Sequence, residues 1–138
     1  MQGTETILVV EDAEDIRRLV CGVLTLQGYR CLSANDGVDA LRLIETGSEP
    51  PQLVLTDVLM PRMKGHELAQ HIAKTRPEIR ILLMSGFVAD PLVRTYERTP
   101  SLFLAKPFTA TALCVKVRQS LDRPWSGLPA LDSESERK

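Results

Sequence analysis

The chain has 138 residues, enough for one domain with a substantial hydrophobic core that needs neither disulfides nor a metal ion to fold. Its 17 basic and 18 acidic residues give a formal net charge of −1, which argues against a nucleic-acid-binding module in this chain alone. No apolar run approaches the ~20 residues of a membrane-spanning helix, and the N-terminus does not resemble a signal peptide. We therefore expect a cytoplasmic protein with no membrane contact.

Two strand-and-helix pairs are predicted in the first fifty residues. The β-branched run Ile7–Val10 indicates a buried parallel strand, and apolar residues at helical spacing predict a helix over Glu14–Leu26. A short strand is expected over Tyr29–Ala34. A second amphipathic helix follows the Asn35-Asp36-Gly37 turn and ends at Gly47.

The central strand begins with the apolar run Leu53–Leu55, whose lack of alternation is typical of a strand buried on both faces. Pro61 and Gly65 break the chain beyond it. A third helix is predicted over Gly65–Thr75, and the run Ile79–Met84 predicts a fourth strand.

The last third of the chain contains two more helices and one more strand. Asp90-Pro91 opens a short fourth helix, Leu92 to about Arg98. Ser101–Ala105 is the fifth strand. Thr109 is expected to cap a fifth helix that runs to about Leu121.

Strands thus alternate with helices five times, which is the pattern of a parallel sheet with helices on both faces. The sequence predicts a three-layer α/β/α fold with a five-stranded parallel sheet. Because Arg123-Pro124 ends the last helix, residues 1–123 are expected to form the single domain. Residues 124–138 are expected to form a short disordered C-terminal tail.

Polar side chains follow four of the five strands. Glu11 and Asp12 follow the first strand, Asp57 the third, Ser85 the fourth and Lys106 the fifth. Because the carboxyl ends of parallel strands meet at one edge of a sheet, we expect these groups to converge. Each has an ordinary structural explanation by itself, as a cap, a turn residue or a solvated charge, but coincidence explains the whole set poorly.

The charges of this set predict its chemistry. Three carboxylates repel one another unless a cation lies among them, and oxygen ligands of this kind favour Mg²⁺ or Mn²⁺. The Lys106 ammonium and the Ser85 hydroxyl could hold the oxygens of a phosphoryl group in transfer. Asp57 would then be the nucleophile that forms an aspartyl phosphate, which leaves Glu11 and Asp12 for the metal.

Histidine and cysteine residues do not predict another metal site. His66 and His71 are five residues apart, which leaves them about 140° apart around a helix, whereas the zinc protease motif needs a spacing of four. Cys21, Cys31 and Cys114 are odd in number and form no CxxC pair, so neither a zinc site nor a disulfide framework is predicted. All three are expected to be buried small residues.

Taken together, these motifs resemble the receiver domain of two-component response regulators (CheY-like). The matching segments are Ile7–Asp12, Leu55–Pro61, Gly65–Leu68, Met84–Gly86 and Lys106–Phe108. The resemblance runs from about residue 6 to residue 121. It implies a flavodoxin-like fold with strand order 2-1-3-4-5 and a site at the switch point between strands one and three.

The resemblance also implies phosphotransfer from a histidine kinase or a histidine phosphotransfer protein onto Asp57. Asp12 and Asp57 would bind Mg²⁺ directly, and Glu11 would act through water. The backbone carbonyl of Leu59 would complete the protein ligands, and the Lys106-Pro107 bond would be cis. The protein would be a signalling module rather than a true enzyme, with chemistry limited to its own phosphorylation and dephosphorylation.

A conformational switch is implied by the same resemblance. Phosphate on Asp57 would draw in the Ser85 hydroxyl, and Phe103 would rotate into the vacated space, unless Phe103 is simply a packed strand residue. The readout surface would be the fourth helix, fifth strand and fifth helix, roughly Asp90 to Leu121. This surface could also support a homodimer.

Two other functions are weighed against this one. A phosphatase acting on a separate substrate would need an acid two residues after the nucleophile, and Leu59 occupies that position. A phosphorylation-independent protein-binding module would be expected to have lost part of the acid, hydroxyl or lysine set, which is intact. Leu59 and Phe87 would instead flank the path of the hydrolytic water and slow self-dephosphorylation. Whether the chain stands alone or belongs to a longer protein, such as a hybrid histidine kinase, stays open.

Overall fold

The computed structural model describes residues 3–60, 62–86, 94, 96 and 98–128. The predicted fourth helix falls mostly outside these residues. Phe87 and the part of the predicted tail beyond residue 128 also lie outside them.

Five strands and four helices alternate along the part of the chain that the structure describes. The strands are β1 Thr6–Val10, β2 Arg30–Ala34, β3 Leu53–Asp57, β4 Arg80–Ser85 and β5 Phe103–Ala105. The helices are α1 Glu14–Leu26, α2 Gly37–Thr46, α3 Gly65–Thr75 and α4 Ala110–Asp122, of which α4 is the fifth helix predicted from the sequence. None of these helices is long and apolar enough to cross a membrane.

The strands form one parallel sheet in the order β2-β1-β3-β4-β5, as the resemblance implied. In this order the chain turns to opposite sides from β1 and β3, which leaves a crevice at their carboxyl ends. The register pairs Val10 of β1 with Thr56 of β3, so the next residues, Glu11 and Asp57, are brought together. The fold itself therefore places two carboxylates at the crevice.

Hydrophobic clusters on the two faces of the sheet hold this frame. Alternate residues of each strand point to opposite faces. One face, including Leu8 and Val54, packs against α2 and α3, and the other, including Ile7 and Leu55, packs against α1 and α4. Every residue of β3 is buried, which confirms the prediction of a central strand covered on both sides.

The fifth strand is shorter than predicted. Pro100–Leu102 forms a 3₁₀ turn, and pairing with β4 begins only where Phe103 meets Leu83. The amide of Leu102 donates to the carbonyl of Thr99 at 2.9 Å, so that backbone group is used within the turn. The prediction that the strand begins at Ser101 is therefore wrong by two residues.

Packed structure continues beyond the expected boundary at residue 123. The indole Nε1 of Trp125 donates to the carbonyl oxygen of Pro77 at 2.9 Å. Trp125 and Leu128 both pack against the cluster between the sheet and α2 and α3. The Arg80 guanidinium also donates to the carbonyl of Arg123 at 2.7 Å. The expectation of a disordered tail from residue 124 is therefore corrected for residues 124–128, which lie against the domain.

Candidate functional site

Three carboxylates lie at the carboxyl edge of β1 and β3. One oxygen from each of Glu11, Asp12 and Asp57 lies within 4.8 Å of the others, and among the described residues this is the group arranged to hold a metal ion. Glu11 and Asp57 are buried, whereas Asp12 is exposed. The predicted convergence of these three residues is confirmed in the geometry.

Lys106 enters this cluster from the end of β5. Its Nζ lies 3.1 Å from Oε1 of Glu11 and 3.0 Å from Oδ1 of Asp57. Its backbone amide donates to the carbonyl of Ser85 at 2.8 Å, and its peptide bond to Pro107 is cis, as expected. One ammonium group therefore bridges acids from two different strands.

The carboxylates still outnumber the cation. Burial raises the pKa of Asp57 above its ordinary value, and the charges of Glu11 and Asp12 add to this, although the Lys106 ammonium opposes it. Burial alone would lower the pKa of Lys106, but hydrogen bonds and charge from Asp57 and Glu11 raise it overall. A lysine that stays charged among three acids leaves a site of excess negative charge.

This donor set suits a hard divalent cation. All three side chains offer oxygen atoms, which are the ligands that Mg²⁺ and Mn²⁺ prefer. Added positive charge would also relieve the repulsion among Glu11, Asp12 and Asp57. The residues present therefore fit a magnesium ion on the chemistry of their donors.

Two backbone and side-chain contacts hold Glu11 in place. Its Oε2 accepts a hydrogen bond from the amide of Ala13 at 3.1 Å, and its carbonyl oxygen accepts one from Arg17 at 2.8 Å. Arg17 lies in the first turns of α1. The helix therefore orients the acid that precedes it, a role for Arg17 that sequence reasoning missed.

The loop from β3 to α3 folds back closely on the site. The amide of Gly65 donates to the carbonyl of Val58 at 2.8 Å. A Cβ atom at Gly65 would collide with the carbonyl oxygen of Asp57, so any side chain there would displace the loop or the strand end. The loop, which carries Leu59, is thus held near Asp57.

A second tie on this loop involves Arg62, which no sequence signal singled out. Arg62 has a φ of 69°, a left-handed conformation that is unusual for a residue with a side chain. Its Nε donates to Oδ2 of Asp36 at 2.7 Å, and Asp36 in turn caps α2 by accepting from the amide of Asp39 at 2.9 Å. The helix start at Asp36 was predicted, but its link to the loop was not.

The two predicted switch residues lie on neighbouring strands. Ser85 is buried at the end of β4, where its Oγ donates to the carbonyl of Gly86 at 3.0 Å. The register aligns Ser85 with Ala105 and places it one residue beyond Met84, the partner of Asp57. Phe103 is half-buried and packs against the cluster on the α2 and α3 face. Phe87 lies outside the described residues.

The histidines do not share a face of α3, in keeping with the rejection of a zinc site. His66 is buried and His71 is exposed. Of the cysteines, Cys114 is buried as predicted, whereas Cys21 and Cys31 are partly exposed, contrary to the expectation.

The chain matches the family described as the response regulator receiver domain over residues 7–118. It is 32% identical to the response regulator receiver protein CpdR of Brucella abortus, over 83% of this chain and 95% of that protein. It is also 32% identical to the sensor kinase CckA of the same organism, over 89% of this chain. The chain spans only 13% of CckA and 48% of another relative, the probable transcriptional regulator ycf27 of Guillardia theta.

Solved structures agree with these matches. The receiver domain of NtrX from Brucella abortus is 31% identical and superposes with a TM-score of 0.72, covering 86% of this chain and 99% of that one. The receiver domain of the hybrid histidine kinase CckA gives a TM-score of 0.66 at 27% identity, with 85% of this chain covered. A receiver domain protein from Clostridium thermocellum gives a TM-score of 0.74 at 24% identity, which supports the fold.

Proposed function

Because the chain belongs to the response regulator receiver family, we propose that Asp57 accepts a phosphoryl group from a histidine kinase or a histidine phosphotransfer protein. One observation carries the proposal. A buried carboxylate at the end of the central strand contacts an ammonium group at 3.0 Å and has two further acids within metal-binding distance. That set combines a nucleophile, a fixed cation and ligands for a second cation in one place.

The proposed metal ligands are the side chains of Glu11, Asp12 and Asp57 and the backbone carbonyl of Leu59. Glu11 would act through water, as in the family. Mg²⁺ is the proposed ion, and Mn²⁺ could replace it. When bound, the ion would neutralise charge on the transferring phosphoryl group.

In the proposed transfer, a carboxylate oxygen of Asp57 attacks the phosphorus of a phosphohistidine. The new P–O bond forms as the P–N bond to the donor imidazole breaks, and the imidazole keeps the electron pair and takes up a proton from solvent. Lys106 would hold a phosphoryl oxygen, because its ammonium already lies beside the attacking carboxylate. The Ser85 hydroxyl would turn from the Gly86 carbonyl to a second phosphoryl oxygen.

Movement of Ser85 is proposed to let Phe103 rotate inward. Phe103 is already half-buried against the sheet, so a small displacement at the end of β4 could change its packing. The proposed readout surface comprises β5, α4 and the predicted fourth helix, and a homodimer could form there. Leu59, whose side chain is 53% exposed, is proposed to shield the phosphoryl group from water, together with Phe87.

The exposed apolar side of α1 supports docking of a phosphohistidine-bearing helix. Leu19 is 66% exposed and Leu26 is 82% exposed, and their spacing of seven places them on one face of α1. The helix begins at Glu14, directly after Glu11 and Asp12. A partner helix on this face would bring its histidine toward the site. We place the protein in the cytoplasm, where ATP-dependent kinases supply phosphohistidine.

Intact mass after incubation with acetyl phosphate tests the proposed function. We expect a single phosphoryl addition that requires Mg²⁺, disappears in excess chelator and is absent in Asp57→Ala. Asp15→Ala, which removes an exposed carboxylate from nearby α1, should be phosphorylated like the wild type. Addition to Asp57→Ala would overturn the assignment of the acceptor. If neither phosphorylation nor a beryllofluoride complex is detected, a phosphorylation-independent binding module becomes the better explanation.

A further inference from the structure

Two of the three cysteines meet although they are ten residues apart in the sequence. Cys21 lies on α1 and Cys31 on β2, and the Sγ of Cys31 lies 3.7 Å from the carbonyl oxygen of Cys21. Both side chains are partly exposed, at the border of the cluster between the sheet and α1 and α4. They are therefore both close together and open to small molecules.

The two thiols have different acidities, which suits oxidation chemistry. A hydrogen bond from the Cys31 thiol lowers the pKa of Cys21 to about 7, against the effect of burial and with help from the charge of Arg17. The interaction with Cys21 raises the pKa of Cys31, and burial adds to this. Near neutral pH, Cys21 is thus the thiolate and Cys31 the thiol that stabilises it. A thiolate is the form of cysteine that attacks an oxidant.

We propose that Cys21 and Cys31 form an oxidisable dithiol site that closes to a reversible disulfide after reaction with a peroxide. The site links α1 to β2, and it needs no residue of the acidic cluster. Cys114 does not belong to it, because that thiol is buried on α4.

The proposed reaction has two steps. The Cys21 thiolate attacks one oxygen of hydrogen peroxide, the O–O bond breaks, and the products are a sulfenic acid and, after protonation, water. The Cys31 sulfur then attacks the Cys21 sulfur, the S–O bond breaks, and the hydroxyl leaves as water with the Cys31 proton. Together the two sulfurs lose two electrons, and the peroxide is reduced to two molecules of water.

Peptide mapping of the oxidised wild-type protein tests this site. Fully reduced protein is treated with equimolar hydrogen peroxide, denatured, alkylated with iodoacetamide and analysed by mass spectrometry. We expect a loss of two hydrogens, alkylation of Cys114 alone and a peptide linked through Cys21 and Cys31. Treatment with dithiothreitol should restore three alkylated thiols. Three alkylated thiols after peroxide, or a disulfide that includes Cys114, would refute the proposal.

Matched serine variants separate the two roles. Cys114→Ser should still lose two hydrogens, whereas Cys21→Ser and Cys31→Ser should not. In Cys31→Ser, alkylation of Cys21 by iodoacetamide below pH 7 should be slower than in wild type, because the thiolate loses its donor. Peroxide oxidation of Cys21 to a sulfinic acid in wild type, with Cys31 still alkylated, would contradict disulfide closure. Circular dichroism of each variant would establish that it is folded.

Discussion

Arg62 donates a hydrogen bond from Nε to Oδ2 of Asp36 across 2.7 Å, which ties the loop after β3 to the start of α2. Burial alone would raise the pKa of Asp36, but hydrogen bonds from the Asp39 amide and from Arg62 lower it overall. Arg62 makes this contact from a left-handed backbone conformation, which costs a residue with a side chain about 1–2 kcal/mol. The ion pair and the backbone conformation therefore have opposite effects on stability.

Substitutions at Arg62 should separate these two effects. Arg62→Ala loses the ion pair and keeps the unfavourable conformation, so we expect its free energy of unfolding to fall by about 1 kcal/mol. Arg62→Gly loses the same ion pair but adopts a positive φ without that cost, so it should lie closer to wild type. Urea denaturation in the presence of chelator measures both. Equal destabilisation by alanine and glycine would show that the loop does not keep this conformation in solution.

The contact between Trp125 and Pro77 predicts that the residues just past α4 contribute to stability. Trp125→Phe keeps most of the packing but loses the hydrogen bond, which should cost about 1 kcal/mol. Trp125→Ala also loses the packing against the sheet and should cost about 2 kcal/mol or more. Urea denaturation followed by circular dichroism measures both, because Trp125 is the only tryptophan and its fluorescence would be lost. No change in either variant would restore the original expectation of a tail that begins at residue 124.

A third prediction concerns pH. Hydrogen bonding to Arg118, with Nη2 to Oε2 at 2.7 Å, lowers the pKa of Glu5 below its ordinary value near 4.5. A carboxyl whose folded pKa is lowered contributes stability above its unfolded pKa, and this contribution is lost as the pH falls through the folded pKa. Glu5→Gln should therefore destabilise the protein by about 1 kcal/mol at pH 7 and by little at about pH 3.

Glu49→Gln is the matched control for this pH series. Glu49 pairs with Arg30, but its side chain is 72% exposed, against 25% for Glu5, so solvent screens that ion pair more strongly. Its substitution should change the urea midpoint less at every pH. If Glu5→Gln and Glu49→Gln behave alike, partial burial does not strengthen the Glu5–Arg118 pair.

The residues of the acidic site were predictable because each follows from local pattern and sheet geometry. A run such as Leu53–Leu55 indicates a strand buried on both faces, and parallel strands present their carboxyl ends at one edge. That reasoning brings Glu11, Asp57 and Lys106 together without any knowledge of the loops. The resemblance to a family supplied the strand order and the cis peptide bond.

Contacts between loops and termini were not predictable in the same way. The Arg62–Asp36 and Trp125–Pro77 contacts join residues 26 and 48 positions apart, and no periodicity records them. The start of β5 was misplaced because Ser101 and Leu102 continue an apolar run but lie in a turn. Cys21 and Cys31 were expected to be buried because burial is the commonest state of free cysteine, whereas helix α1 and strand β2 bring them together near the surface.

The last prediction concerns the charge of the site when no metal is bound. Burial and the neighbouring acids raise the pKa of Asp57, so its folding contribution is favourable at pH values below the unfolded pKa and is lost as the pH rises through the folded pKa. At neutral pH the ionised carboxylate opposes folding. In chelator, Asp57→Asn should therefore be more stable than wild type by about 1 kcal/mol, as Lys106 keeps its contact with Glu11. Mg²⁺ should raise the melting temperature of wild type more than that of Asp57→Asn, because the variant lacks a proposed ligand. Equal stabilisation of both proteins by Mg²⁺ would show that Asp57 does not bind the ion.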